Sequence, residues 1–187
     1  MNLPNKITIV RVAMIPFFIL ILMWDAIPFD MQIRRYIAVV LFSAASISDW
    51  LDGYIARKYR LITNFGKFMD PLADKLLVCS ALIALIGLEG SVVNLPSWCV
   101  IIIIAREFII TGFRTIAIEQ NIVIAAGWWG KIKTTVQMIM IISLLLNINH
   151  IIFKWISIIL IALSVILTVI SAADYILKNK GVFSGDI

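Results

Sequence analysis

Residues 49–74 read DWLDGYIARKYRLITNFGKFMDPLAD, and the runs flanking them, 36–48 and 76–88, are apolar. One acidic cluster closes the first run and another opens the second. Ionisable groups are costly at membrane depth, so two such clusters at the facing ends of apolar segments mark where chemistry is placed. Each run is short of the ~20 residues that cross a bilayer as a helix. Each reaches that length once its polar end is included, Ser48 to Arg57 in one and Lys67 to Lys75 in the other.

The rest of the chain agrees with lipid as its solvent. Of 187 residues, 62% are hydrophobic and 14% charged, with a mean hydropathy of +1.04. That leaves too little polar surface to cover a water-soluble globule. Further apolar stretches near 7–24, 95–118, 136–149 and 155–173 bring the expected spans to six. The expected fold is an all-α integral membrane protein, a six-transmembrane-helix bundle forming one membrane-embedded domain over residues 1–187. The first span carries Thr8 and Arg11 and has no small-residue cleavage site, so it is expected to be retained. Pro28, Gly87 to Gly90 and Gly127 to Gly130 punctuate the spans without separating domains.

Charge orients the bundle. If the N-terminus, the 58–67 loop, the 115–133 region and the tail share one side, they collect thirteen of the sixteen Lys and Arg, leaving Arg34, Arg35 and Lys154 opposite. The positive-inside tendency then puts both termini and the acidic clusters on the cytoplasmic side of a multi-pass cell-membrane protein, with residues 89–94 external. The net charge of +5 sits at membrane boundaries without a nucleic-acid module. Anionic lipid or a phosphorylated substrate is therefore the expected partner, and nucleic acid is not. Cys79 and Cys99 fall in separate apolar spans and read as inert thiols, and His150 reads as a turn residue. Trp24, Trp98, Trp128, Trp129 and Trp155 lie near span ends, where amphipathic rings favour the interface.

At ~100° per residue, Asp49, Asp52, Gly53 and Ala56 share one helical face, and Gly66, Asp70 and Asp74 form an i, i+4, i+8 row on the next helix. Four carboxylates so gathered cannot all stay ionised without protons or cations. Two divalent ions balance them. Oxygen-only ligands suit Mg²⁺ or Mn²⁺, and a metal pair can clamp a pyrophosphate, which is phosphoryl-transfer chemistry. Gly53 and Ala56 remove bulk beside the acids, and Arg57 can contact phosphates. Small residues also pack membrane helices, and an arginine at a span end also snorkels, so each of these taken alone has an ordinary explanation.

The spacing D-x2-D-G-x2-A-R-x8-G-x3-D-x3-D, met here by Asp49, Asp52, Gly53, Ala56, Arg57, Gly66, Asp70 and Asp74, resembles the signature of the CDP-alcohol phosphatidyltransferases. That resemblance implies that Asp49, Asp52, Asp70 and Asp74 hold two divalent cations, Mg²⁺ or Mn²⁺, with Asp74 also the general base. It implies that Asp52, Gly53, Ala56, Arg57 and Gly66 line the CDP site, and that the protein is a homodimer. The segment Pro4 to Arg11, with Asn5, Thr8 and Arg11 at i, i+3, i+6, is similar to the first helix of the glycerol-3-phosphate-using branch, which adds Asn5 and Thr8 as nucleotide contacts. An N-cap and a helix-packing threonine are the alternatives.

The acceptor is read from Arg106, Glu107, Arg114, Lys131 and Lys133. Arg106 and Arg114 are eight apart, about 80° around a helix, so both can face one cavity, with Glu107 pairing with either. Lys131 and Lys133 enter from the same side, or simply follow the positive-inside rule. A basic group of this kind suits an acceptor that already bears phosphate. Together with the resemblance it implies an enzyme that transfers the phosphatidyl group of CDP-diacylglycerol to sn-glycerol 3-phosphate. Two other readings stay open: a relative using inositol phosphate or phosphatidylglycerol, and a divalent-cation transporter, since acidic intramembrane clusters also mark ion pathways.

Overall fold

The structure is a computed structural model that describes residues 3–24, 26–58, 64–120 and 127–179, the side chains at 3, 4, 50–58, 64, 65, 67, 68, 70 and 71 lying outside the description. Among the described residues it has six helices and no strand: α1 (Leu3–Met23), α2 (Met31–Lys58), α3 (Asn64–Ile86), α4 (Ser97–Glu119), α5 (Trp128–Leu146) and α6 (Ile151–Lys178). Three of them, α1 from Asn5, α5 and α6, are long and apolar enough to cross a membrane. The other three carry the ionisable residues that the sequence reading singled out, which lowers their hydropathy without shortening them. α2 runs through Ser48 to Arg57 and α3 through Lys67 to Lys75. α5 begins at Trp128, well before the expected 136, because the helix takes in the polar turn around Lys131 to Thr134.

The helices group into two compact units, Met1–Asn94 with Ile141–Asn149, and Leu95–Met140 with His150–Ile187. In the first, α1 packs on α2 and α3, and α2 on α3. The seam is built from Ile15, Phe18 and Leu22 of α1, Ala38, Phe42 and Ala45 of α2, and Ala73, Leu77 and Ala81 of α3, all buried. Ala38 and Ala45 of α2 and Ala73 and Ala81 of α3 let the backbones approach closely, and the rings of Phe18 and Phe42 fill the space between α1 and α2 with centroids 6.2 Å apart.

Arg34 and Arg35, which the charge count places on the external side, are buried and capped by backbone. The Arg34 guanidinium donates to the carbonyls of Ile21, Leu22 and Trp24 at 2.6, 2.9 and 3.0 Å. These oxygens have no partner inside α1 because the helix ends there, and the negative end of its dipole favours a cation. Arg35 reaches the carbonyls of Leu144 and Glu89 and the Ser91 hydroxyl. Asn147, at φ 47°, holds the loop after α3 by accepting from Val92 N–H and donating to the Gly90 carbonyl.

In the second unit α4 packs on α6. Ile110, Phe113 and Ala117 of α4 enclose Tyr175 of α6, whose ring meets Phe113 edge-on at 5.7 Å. His150 caps α6, its Nδ1 accepting from Ile152 N–H at 3.3 Å.

Candidate active site

The acidic site belongs to the first unit. Asn5, Thr8 and Arg11 are spaced at i, i+3, i+6 on α1 and all three are buried, Arg11 fully. A cation so enclosed must be met by an acceptor, and Arg11 Nη1 donates to Asp49 Oδ1 at 2.5 Å. Asp49 itself keeps 38% of its side-chain surface open. Asp74 on α3 is half-buried and Gly66 is buried. Asp49 stands nine residues before the end of α2 and Asp74 ten after the start of α3. At ~1.5 Å per residue these positions lie about 14 and 15 Å along their helices from the α2–α3 junction. The backbone positions of Asp52, Gly53, Ala56, Arg57 and Asp70 are helical, and their side chains lie outside the described residues. Sequence reasoning placed Arg11 in the first-helix segment without giving it a role; its charge within a buried row of polar residues was the available signal.

The basic site belongs to the second unit. Arg106 and Arg114 of α4, Lys131 of α5, and Ser171, Asp174 and Tyr175 of α6 line a cavity of about 200 Å³. Arg106 Nη2 donates to Ser171 Oγ at 2.9 Å, and Ser171 Oγ donates in turn to the Thr168 carbonyl at 3.3 Å. Gly130 brings the start of α5 close to Arg106, since a β-carbon there would sit 3.9 Å from Nη2. Gly127 does the same for Asp174, at 3.7 Å from Oδ2.

Lys133, grouped with these cations on sequence, does not line the cavity. It is 2% exposed, and its ammonium is paired with Glu107 Oε1, which also takes Arg106 Nη1 at 3.4 Å. Glu107 is thus shared between Arg106 and Lys133, and Arg114 remains exposed. Ser171, Asp174 and Tyr175 were missed. All three lie within one turn near the end of a mostly apolar helix, a pattern that hydropathy averaging conceals.

A model of the CDP-alcohol phosphatidyltransferase family matches residues 1–170. The chain is 43% identical to a CDP-diacylglycerol–glycerol-3-phosphate 3-phosphatidyltransferase of Bacillus subtilis, the match covering 95% of each chain. It is 38% identical to the Haemophilus influenzae protein of the same name, over 96% of this chain and 94% of that one. A probable phosphatidylglycerophosphate synthase of Mycobacterium tuberculosis is 37% identical, over 95% of this chain and 81% of that protein.

Proposed function

This chain belongs to the CDP-alcohol phosphatidyltransferase family, and from that premise we propose that it transfers the phosphatidyl group of CDP-diacylglycerol to sn-glycerol 3-phosphate, giving phosphatidylglycerophosphate and CMP. The structural observation that carries the choice of acceptor is the cavity of about 200 Å³ flanked by Arg106, Arg114 and Lys131. It is smaller than the roughly 300–1,000 Å³ of sites for drug-sized ligands. A nucleotide-bearing lipid is too large for it, whereas a three-carbon phosphate is of the right scale. Planar guanidinium groups match a phosphate dianion by paired, charge-assisted hydrogen bonds.

Asp49, Asp52, Asp70 and Asp74 are proposed to hold two divalent cations, Mg²⁺ or Mn²⁺. The all-oxygen donor set supports this choice, as does the matched distance of Asp49 and Asp74 from the helix junction. Arg11 compensates one charge of Asp49 and leaves the four-carboxylate set acidic. When bound, such ions neutralise a pyrophosphate and stabilise charge on the attacking and leaving oxygens.

The chain's own residues bind, orient and move the proton. Asp74 accepts the proton of the acceptor hydroxyl as it attacks the β-phosphorus and CMP departs. Asn5, Thr8, Asp52, Gly53, Ala56, Arg57 and Gly66 contact the cytidine diphosphate. Arg11 is a positioning residue that fixes the Asp49 carboxylate. Arg106, Arg114 and Lys131 hold the acceptor phosphate, while Lys133 acts through Glu107 to fix Arg106.

We read the chain as one catalytic domain because the family match runs unbroken through residues of both units. We also read all six helices as spans. α2 has 28 residues and α3 and α4 have 23 each. At ~1.5 Å per residue these are about 42 and 35 Å long, more than the ~30 Å hydrocarbon core. Both termini and the aspartates then face the cytoplasm of a multi-pass cell-membrane protein, and the homodimer is kept as part of this reading.

The test uses purified protein with labelled CDP-diacylglycerol and a panel of glycerol 3-phosphate, inositol phosphate and phosphatidylglycerol, with chelator and after Mg²⁺ or Mn²⁺ is restored. CMP release that requires glycerol 3-phosphate and divalent cation supports the proposal. Release with another acceptor reassigns the substrate. Metal flux in proteoliposomes without CMP formation favours transport instead.

A further inference from the structure

The cavity of the second unit carries a carboxylate and a phenol among its cations, and neither is needed to hold a phosphate. Asp174 repels one, since like charges a few ångströms apart raise each other's energy. Its Oδ1 takes the Lys178 ammonium at 2.7 Å, and among the described residues Oδ2 has no such partner. The Tyr175 hydroxyl is buried and, among the described residues, makes no hydrogen bond. A buried polar group left in that state is unfavourable by the full loss of its hydration, so such groups are usually met by a ligand or water. The third polar residue of this wall is already satisfied, because Ser171 accepts from Arg106 and donates to the Thr168 carbonyl. The lining therefore combines two kinds of group: Arg106, Arg114 and Lys131, which suit an anion, and Asp174 with Tyr175, which suit a neutral group that can donate and accept.

We propose that Asp174 and Tyr175 read the secondary hydroxyl of the acceptor, so that the cavity selects a phosphorylated polyol and not merely a phosphorylated alcohol. The inference rests on the assignment of this cavity to the acceptor and adds the determinant of its specificity. A carboxylate accepting from a hydroxyl is a charge-assisted hydrogen bond, and a site built to make it rejects an analogue that lacks the donor. Asp174 Oδ2 lies beside the start of α5, 3.7 Å from where a β-carbon on Gly127 would stand.

The probe is 3-hydroxypropyl phosphate, which keeps the attacking hydroxyl and the phosphate of glycerol 3-phosphate but lacks the hydroxyl between them. kcat/KM is measured for both acceptors in the wild type, Asp174→Asn, Tyr175→Phe, Arg114→Ala and Lys178→Ala. The wild type is expected to prefer glycerol 3-phosphate by about tenfold or more, and Asp174→Asn to bring that ratio close to one. Tyr175→Phe, which differs by one oxygen, is expected to narrow the ratio in the same direction and carries the comparison if Asp174→Asn does not accumulate in the membrane. Lys178→Ala, which removes the partner of Oδ1, is expected to keep the preference for glycerol 3-phosphate because the carboxylate remains. Equal loss on both acceptors in Asp174→Asn, or a wild-type ratio near one, overturns the proposal. Arg114→Ala separates phosphate binding from hydroxyl reading. If it raises KM for both acceptors while Asp174→Asn leaves their ratio alone, only the hydroxyl-reading role fails. If it leaves both KM values unchanged, the acceptor assignment itself fails and this proposal with it.

Discussion

The fully buried guanidinium of Arg11 on α1 donates to the carboxylate of Asp49 on α2 at 2.5 Å. This contact joins the first helix to the first aspartate of the signature, and it fixes one oxygen of a side chain that is otherwise partly open. Arg11→Ala removes a hydrogen bond between charged groups, worth about 1.5–3 kcal/mol, with the lower end expected because Asp49 is partly solvated. The expected outcome is a fall in kcat/KM of about tenfold or more. Arg11→Lys should recover only part, since a point charge does not reproduce the planar fork. Steady-state kinetics on the two variants, with thermal unfolding of each, checks both statements.

Arg114 is exposed at the cavity and Arg106 is tied to Ser171 and Glu107, so Arg114 is the freer of the two guanidinium groups. Arg114→Ala is expected to raise the KM for glycerol 3-phosphate by about ten- to over a hundredfold, while the KM for CDP-diacylglycerol changes much less. Parallel titrations of the two substrates measure this directly.

The two lysines at the start of α5 are expected to behave differently. Lys131 lines the cavity, and Lys133 is buried against Glu107. Lys131→Ala should raise the acceptor KM without lowering stability. Lys133→Ala removes one of the two cations that share the partly open Glu107 carboxylate, so its cost should fall below the roughly 3–5 kcal/mol of breaking a fully buried pair. Its effect should therefore appear in the midpoint of thermal unfolding in detergent and, through Arg106, in the acceptor KM more than in that for CDP-diacylglycerol.

Much of this was legible in the sequence, and what was not has identifiable causes. Apolar runs, two of them extended by their polar ends, located six helices, and the fixed spacing of aspartates, glycines and Arg57 pointed to the family. Counting charges by side, by contrast, cannot see partners, so it gave Arg34 a side of the membrane but not its bonds to the carbonyls that end α1. Lys131 and Lys133 looked equivalent in a basic cluster, yet residues two apart on a helix are separated by about 200° and face different surroundings. Asp174 and Tyr175 were invisible for a third reason. Their meaning depends on Arg106 of α4, more than sixty positions away in the chain, and no local pattern conveys that.

The orientation proposed from charge makes residues 89–94 external and residues 1–6 cytoplasmic. With Cys79 and Cys99 replaced by Ser, a single cysteine at exposed Glu89 should be modified by an impermeant maleimide from outside the cell, and one at exposed Lys6 only after permeabilisation. Glu89 labelling confined to the cytoplasmic side would reverse the orientation and put the aspartates on the wrong face for CDP-linked substrates.

Asp74 is the residue on which the proposed chemistry turns, because an alcohol hydroxyl is too weakly acidic to attack without losing its proton to a base. Asp74→Asn keeps the shape and removes the basic oxygen. The most direct measurement is the turnover of wild type and Asp74→Asn with CDP-diacylglycerol and glycerol 3-phosphate, read as CMP and phosphatidylglycerophosphate formed, across saturating Mg²⁺ and Mn²⁺. Equal amounts of the two products are expected from the wild type. The expected kcat of Asp74→Asn is lower by about 10²–10⁴-fold, or ~2.7–5.5 kcal/mol in the barrier, at every metal concentration and with CDP-diacylglycerol binding retained. CMP without phosphatidylglycerophosphate from the wild type, or full recovery of Asp74→Asn by excess metal, would contradict the proposed chemistry.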